Sequence, residues 1–376
     1  MRERDKRPNS KQAGIPGKVC LALLFAALTA GLCLLLNFLL VDDIHSYSRV
    51  MLEEYYAESE TVDTVFVGSS HCYRSIDPRL VDEALGTHSF NLGTSQQLPD
   101  GSYYLIREAG ENSPLKTVYL ETFYTGYSQT ESKAVPLACF LITDYLRPTS
   151  MNRYQYLWEM GGPAAFADLI FPARHMIATP DELLELWRAK LTDGYTPGNY
   201  AYVTYEGEEA YQGRGFVYTW GTPPYGFGSI ADVDPQAPVS EFGADYLQRI
   251  ADYCAQQGIR LVMFTAPLPS AYLADTEGYQ YFVDYMKAFA AKNGSEYWDF
   301  SLWRDTGTFS PGFEDYSDAH HLNGQGAERF TRVFCRVAAA SEAGEDVNVF
   351  FFDRVEDKLT QAPDATITYA AETAGQ

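Results

Sequence analysis

Beyond residue 18 the chain has no basic stripe. Its 376 residues carry a net charge of −22, and the first 18 run the other way: Arg2, Arg4, Lys6, Arg7, Lys11 and Lys18 stand against Glu3 and Asp5, leaving the remainder at about −26. A body that acidic repels nucleic acid, phosphate-rich polymers and anionic membrane surfaces, so no nucleic-acid partner is expected. Cysteine is scarce and scattered. Cys20 and Cys33 fall in an apolar N-terminal run, while Cys72, Cys139, Cys254 and Cys335 stand singly, without the paired spacing of a metal site. No metal and no cofactor is called for. Cys254 and Cys335 sit in helical apolar patterns that predict buried thiols, and no spacing demands a disulfide. No internal repeat is visible. Hydrophobic content of 46% with 21% charged residues argues against wholesale disorder, and the length suits one or two domains.

The longest charge-free stretch is Val19 to Val41, with Thr29 and Asn37 its most polar members. At about 1.5 Å per residue it reaches across a bilayer core of roughly 30 Å. Basic residues precede it and Asp42-Asp43 follow, which predicts a cytoplasmic tail over 1–18, a single-pass transmembrane anchor over 19–41 and an extracytoplasmic body at the cell membrane. A cleaved signal peptide would have an apolar region of about 7–15 residues and a small-x-small cleavage site. This run is longer, and Leu40-Val41-Asp42 supplies no such site. Neither cysteine in the run follows the small residue a lipoprotein needs, since Val19 precedes Cys20 and Leu32 precedes Cys33. Residues 42–61, with mixed charge around Leu52, Tyr55 and Tyr56, predict a juxtamembrane helix acting as a spacer.

From residue 62 the pattern alternates. Thr64-Val65-Phe66-Val67 is apolar on both faces, as buried parallel strands are, and breaks at Gly68-Ser69-Ser70-His71. Pro78 opens a helix to Leu85. Ser89 to Ser95 is a second strand with a Gly-polar turn, followed by a helix across Tyr103–Glu108, and Leu115–Glu121 is a third strand ending in a carboxylate. After about residue 132 the alternation stops until 238. This insertion holds helical patterns at Val135–Leu146 and Asp181–Lys190 and a tract from Tyr195 to Phe227 dense in aromatics and glycine, including Trp220, Tyr225 and Phe227. Such rings can stack on sugars, line an acyl pocket or form the insertion's own core. The alternation resumes with a helix Glu241–Gln257, a strand Ile259–Thr265, a helix Tyr279–Lys292, a strand Glu296–Phe300 and a helix Gly324–Ala340. The expected fold is α/β: a doubly wound, five-stranded parallel sheet over 62–340, then a C-terminal extension, 341–376. In that extension Val347–Phe352 suggests an added strand, and the last 15 or so residues are expected to fray.

Two stretches carry chemistry. The first strand delivers serines to its C-terminal end, where open α/β sheets bind ligands. Far downstream, Asp318-Ala319-His320-His321-Leu322-Asn323 puts a carboxylate three residues before an imidazole. Nucleophile, base and orienting acid are the set that acyl transfer needs. On these residues the chain resembles the SGNH (GDSL-type) hydrolase superfamily, and within it the membrane-anchored, extracytoplasmic branch related to the D-alanyl transfer protein DltD and alginate-type O-acetyltransferases. The resemblance covers 64–131 and 240–340. It implies a flavodoxin-like three-layer fold with Ser70 as nucleophile, His321 as base and Asp318 as its partner. Asn91-Leu92-Gly93 matches the second block, so the N–H groups of Ser70 and Gly93 are the implied oxyanion donors. The implied activity is transfer or hydrolysis of a short acyl group on an envelope glycan or other polymer. The implied partners are an acylated donor, the polymer acceptor and a polytopic membrane O-acyltransferase.

One block departs. Where the superfamily has Gly-x-Asn-Asp, the third strand ends Leu120-Glu121-Thr122-Phe123. An ionised Glu121 cannot donate to an oxyanion, so either it is protonated, or Asn91, Thr94 or Ser95 substitutes, or catalysis is slow or absent. The last option leaves an SGNH-shaped glycan-binding or membrane-complex scaffold as the rival to an enzyme. His71, Asn91, Glu121 and Trp220 are candidate substrate contacts. For His71 a structural hydrogen bond at the turn is the plainer role, His320 is expected to be exposed, and Cys72 lacks a counterpart as nucleophile.

Overall fold

The computed structural model describes residues 15–174, 178–221 and 231–367. Tyr225, Phe227, most of the basic tail and the last nine residues lie outside them. Eight strands are described: β1 (Thr64–Val67), β2 (Ser89–Asn91), β3 (Thr117–Glu121), β4 (Thr204–Tyr205), β5 (Glu209–Tyr211), β6 (Val217–Thr219), β7 (Arg260–Thr265) and β8 (Glu296–Asp299). Five form one parallel sheet in the order β2-β1-β3-β7-β8. Counted within the sheet this is 2-1-3-4-5, the flavodoxin-like doubly wound order, with its switch point between β1 and β3. Helices cross over between strands and cover both faces. Glycines in the left-handed region end Glu241–Gln257 (Gly258, φ 69°) and Tyr279–Asn293 (Gly294, φ 64°), letting the chain turn into the next strand without a Cβ penalty.

The sheet is dry on both sides. Phe66 stacks on Tyr119 at 5.0 Å, and Phe334, from the helix Gly324–Glu342, meets Phe66, Tyr119, Phe264 and Trp298 at 5.0–5.7 Å. Such aromatic pairs add to area burial in fixing the layer.

Four segments differ from expectation. The juxtamembrane helix Tyr47–Glu58 is no spacer: Met51, Leu52 and Tyr55 are fully buried in the main core, and its Glu54 accepts hydrogen bonds from Tyr200 and Tyr211 of the insertion. The Val135–Leu146 pattern becomes one helical turn, Val135–Ala138, followed by a π-helix, Cys139–Thr143. Val347–Phe350 is a 3₁₀ turn, with only a Trp303–Phe351 bridge of strand type. The C-terminal residues up to 367 do not fray. A helix Val355–Gln361 follows, Lys358 is buried and donates to the Trp303 carbonyl, and Asp364 exchanges two hydrogen bonds of 2.9 Å with Ser270. Their polar composition hides this, because the partners are backbone groups and hydroxyls rather than an apolar face.

The insertion builds a small antiparallel sheet, β4-β5-β6, and reaches two places. It covers the free edge of β2, where Asn91 N donates to the Arg214 carbonyl at 2.9 Å. Gly215 (φ 81°) permits this approach, since a Cβ there would lie 1.7 Å from the Asn91 oxygen. It also caps the helix Ile15–Leu40, whose apolar stretch Gly17–Leu40 is long enough to cross a membrane. There the Lys190 ammonium, itself buried, donates to the Phe38 and Val41 carbonyls and pairs with Asp43 at 2.8 Å. A cation on the last carbonyls of a helix satisfies groups that otherwise have no acceptor role within it.

Candidate active site

Gly68 follows strand β1 directly. A side chain is excluded there, because a Cβ would stand 2.6 Å from the Glu121 Cβ and 2.8 Å from its Oε2. The chain then turns into a short helix, Ser70–Tyr73, capped by Ser69, whose Oγ accepts from His71 N. This sets Ser70 at the first helical position with its side chain free of capping. The opposing loop is held by Asn323. Its Oδ1 accepts from Gly326 N at the start of Gly324–Glu342, while its Nδ2 donates to the carbonyls of Glu314 and Gly221. A Tyr316–Leu322 bridge and a Ser317 N–H donated to the His321 carbonyl close the loop.

These two elements bring Ser70, His321 and Asp318 together. Ser70 Oγ is 2.7 Å from His321 Nε2. His321 Nδ1 is 2.8 Å from Asp318 Oδ2, and Asp318 Oδ1 accepts from the His320 and His321 backbone N–H groups. With Nδ1–H donated to the carboxylate, Nε2 carries the lone pair and receives the Ser70 hydroxyl. Burial would raise the Asp318 carboxyl, but the hydrogen bond and charge of His321 outweigh it and hold the group well below the usual carboxylate range. Arg74, one turn after Ser70, lies 3.9 Å from Asp318 and is itself paired with Glu209 at 2.7 Å.

Behind this set lies a second chain of polar groups. Glu121 is buried and its Oε2 accepts from Ser69 N at 2.9 Å and Ser69 Oγ at 2.8 Å. Ser69 Oγ approaches His71 Nδ1 at 3.4 Å, and His71 Nε2 pairs with His320 Nδ1 at 3.0 Å. Desolvation pushes the Glu121 carboxyl up to about 7 against the opposing bonds from Ser69 and the backbone N–H of Phe123, and its Oε1 is buried. Burial, then the nearby His321, lowers both other imidazoles: His71 well below its ordinary value and His320 to about 4. Both are therefore neutral at pH 7. His71 is stacked between Phe123 (3.9 Å) and His321 (4.3 Å).

Several candidate residues stand elsewhere than expected. His320 is half-buried and stacked, not exposed. The Gly93 N–H is committed to Asn91 Oδ1 at 3.0 Å, so in this arrangement it is not free for an oxyanion. Asn91 is fully buried and spends its Nδ2 on the carbonyls of Cys72 and Ile76. Thr94 Oγ1 donates to Gln97 Oε1, and neither Thr94 nor Ser95 lines the cleft. Trp220 is 40% exposed, packs on Tyr218 and does not line the cleft either. The Ser70 N–H has no acceptor among the described residues. Burial, then Glu121, pushes the Cys72 thiol well up, and its Sγ donates to Asn91 Oδ1, which removes it as a nucleophile.

The cleft in front of Ser70 has a volume of about 610 Å³. Ser70, His71, Glu121, Phe123, His320 and His321 form its floor, and Gln96, Gln129, Glu131, Ser132 and Lys133 its polar rim. The rim comes from the start of the insertion and the loop after β2. No periodicity marks those residues, so sequence offered no signal for them; Arg74 could have been found from its i, i+4 spacing to Ser70. The nitrogens of His71, His320 and His321 lie within 4.8 Å of one another. A metal there would have to take His321 from Ser70 and part the His71–His320 pair.

A family model whose description names no function matches residues 232–340, under a third of the chain. No curated protein matches. Among solved structures, the crystal structure of a "putative acylhydrolase" from Bacteroides fragilis is similar at 9% identity and a TM-score of 0.35, over 78% of this chain and 97% of that one.

Proposed function

We propose that this is an extracytoplasmic acyl-serine enzyme of SGNH type that transfers or hydrolyses a short O-acyl group on an envelope glycan or other polymer. The observation that carries the proposal is the 2.7 Å contact of Ser70 Oγ with a His321 whose other nitrogen is held by Asp318 at 2.8 Å, opening on a cleft with a polar rim. Ser70 Oγ attacks the ester carbonyl carbon as His321 Nε2 takes its proton. The carbonyl π electrons move onto oxygen, then return to expel the alkoxide, which leaves with the proton from Nε2. In the second half, an acceptor hydroxyl or water loses its proton to Nε2 and attacks acyl-Ser70. Asp318 keeps the productive tautomer and stabilises the imidazolium. The N–H of Ser70 serves the oxyanion, and a protonated Glu121, donating from Oε1, supplies the second donor in place of Gly93 and the third-block Asn. Loss of one such donor typically costs roughly 2.7–4 kcal/mol of barrier. A polytopic membrane O-acyltransferase is the partner proposed to deliver the acyl group.

The commitment of the Gly93 N–H favours a second proposal, an SGNH-shaped scaffold with little activity that binds a glycan or serves a membrane complex. A fluorophosphonate probe separates them. Labelling of the wild type that disappears in Ser70→Ala and falls in His321→Ala supports the enzyme. A folded wild type that takes no label sinks it.

A further inference from the structure

The helix Leu183–Thr192 has three faces where a soluble surface helix has two. At 100° per residue, Leu186, Ala189 and Lys190 turn inward and are buried. Glu185, Arg188 and Thr192 form a polar face. Between them Leu184, Trp187 and Leu191 share a third sector, with Leu184 63% and Leu191 75% exposed. Trp187 is half-buried, and among the described residues no part of the body covers the rest of this sector.

Its position says what does. Trp187 Nε1 donates to the Leu39 carbonyl, and Lys190 to those of Phe38 and Val41. Nearby, Ile170, 60% exposed, accepts from Asn37 Nδ2 through its carbonyl. All these bonds fall on the last turn of the Ile15–Leu40 helix or on the residue that follows it. About 20 residues span the hydrocarbon core; counted from Lys18, which marks the opposite boundary, the core ends near Asn37. The apolar sector therefore sits level with the point where the helix leaves the acyl chains. The tryptophan faces the interface, as interfacial tryptophans do.

We propose that Leu184, Trp187, Leu191 and Ile170 form a collar inserted into the lipid headgroup–acyl boundary around the exit of the anchor. Interfacial apolar faces of this kind lie about 5–10 Å into that boundary. The occupant is lipid, continuous with the lipid around the anchor helix. The adjoining polar face carries one arginine against one glutamate, so apolar burial rather than headgroup charge drives insertion. The collar rests on the membrane-anchor reading of Ile15–Leu40. It would hold the body at a fixed height over the bilayer.

The test uses the full chain, with Cys20 and Cys33 replaced by alanine, in phosphatidylcholine nanodiscs. Nitroxides are placed one at a time at Leu184→Cys, Leu191→Cys and Ile170→Cys, with Leu28→Cys in mid-span and Glu345→Cys on the body as references. The expected result is higher collision with oxygen than with a water-soluble nickel chelate at 184, 191 and 170, the reverse at 345, and the deepest signal at 28. Labels at 184 and 191 that read like 345, with 28 still deep, overturn the collar and leave the anchor standing. Labels shielded from both reagents mean a protein covers the sector, and also overturn it. A water-exposed label at 28 overturns anchor and collar together.

Discussion

Asp318 keeps nearly half of its side-chain surface exposed, 45%, yet it is the group that fixes the His321 tautomer. Asp318→Asn preserves shape but can donate to Nδ1, turning the Nε2 lone pair away from Ser70. The expected loss is roughly 10⁴-fold in the rate of fluorophosphonate labelling; a loss under tenfold would show that the carboxylate does not hold the tautomer. Glu121 makes the second residue-scale prediction. Its carboxyl is raised from 4.5 to about 7 by burial, so the folded state binds its proton more tightly than the unfolded chain. The stability contributed by the neutral form is fully present below about pH 4.5 and lost as pH rises to about 7, by up to roughly 3 kcal/mol at about 1.4 kcal/mol per unit. Glu121→Gln cannot ionise, so its gain in Tm over wild type should be larger at pH 8 than at pH 5. An equal shift at both would exclude Glu121 ionisation. The labelling rate of the wild type should also fall as pH rises through 7, and the Gln variant, a donor at every pH, should flatten that limb.

At the scale of elements, the helix Tyr47–Glu58 ties three parts together. It lines the main core, accepts from the insertion through Glu54, and through Tyr47 donates to the Gly93 carbonyl beside the site. Leu52→Ala deletes a fully buried side chain and should cost about 2–5 kcal/mol, seen as a lower urea midpoint at constant slope in detergent-solubilised protein. A spacer would leave the midpoint unmoved. Local sequence could not reveal this, because the segment is amphipathic only weakly and its charges are answered by tyrosines about 150 positions away. By contrast, Thr64–Val67 and Glu241–Gln257 were legible, since an unbroken β-branched and aromatic run and a 3.6-residue apolar period each admit one local structure.

At the scale of the molecule, the C-terminal segment is a strap over the loops that follow β7 and β8. Phe351 and Phe352 are buried, Lys358 donates to the Trp303 carbonyl and Asp364 to Ser270. Truncation after Asp353 should destabilise the body by on the order of 3 kcal/mol, through orphaned buried polar groups, and lower its Tm; an unchanged Tm would show that the strap carries no stability. Because Asp364 and Thr366 hold Ser270 and Ala271 beside Tyr272, whose ring lies 5.6 Å from His320, labelling of the remaining folded fraction should fall as well.

By itself, the sequence determined the length of the apolar N-terminal helix, the alternating α/β pattern and the two stretches that bear Ser70, Asp318 and His321. These depend on periodicity, on uncharged length and on residue types at short spacing, all of which are local. The tertiary structure decided how far each candidate reaches. Asn91 turned inward to bind two carbonyls and took the Gly93 N–H, Trp220 was left off the cleft, and desolvation around Glu121 raised its pKa. Hydrogen-bond partnership and dielectric are set by groups distant in the chain, such as Glu121 beneath Ser69 and His320 against His71, and no spacing along the sequence records them.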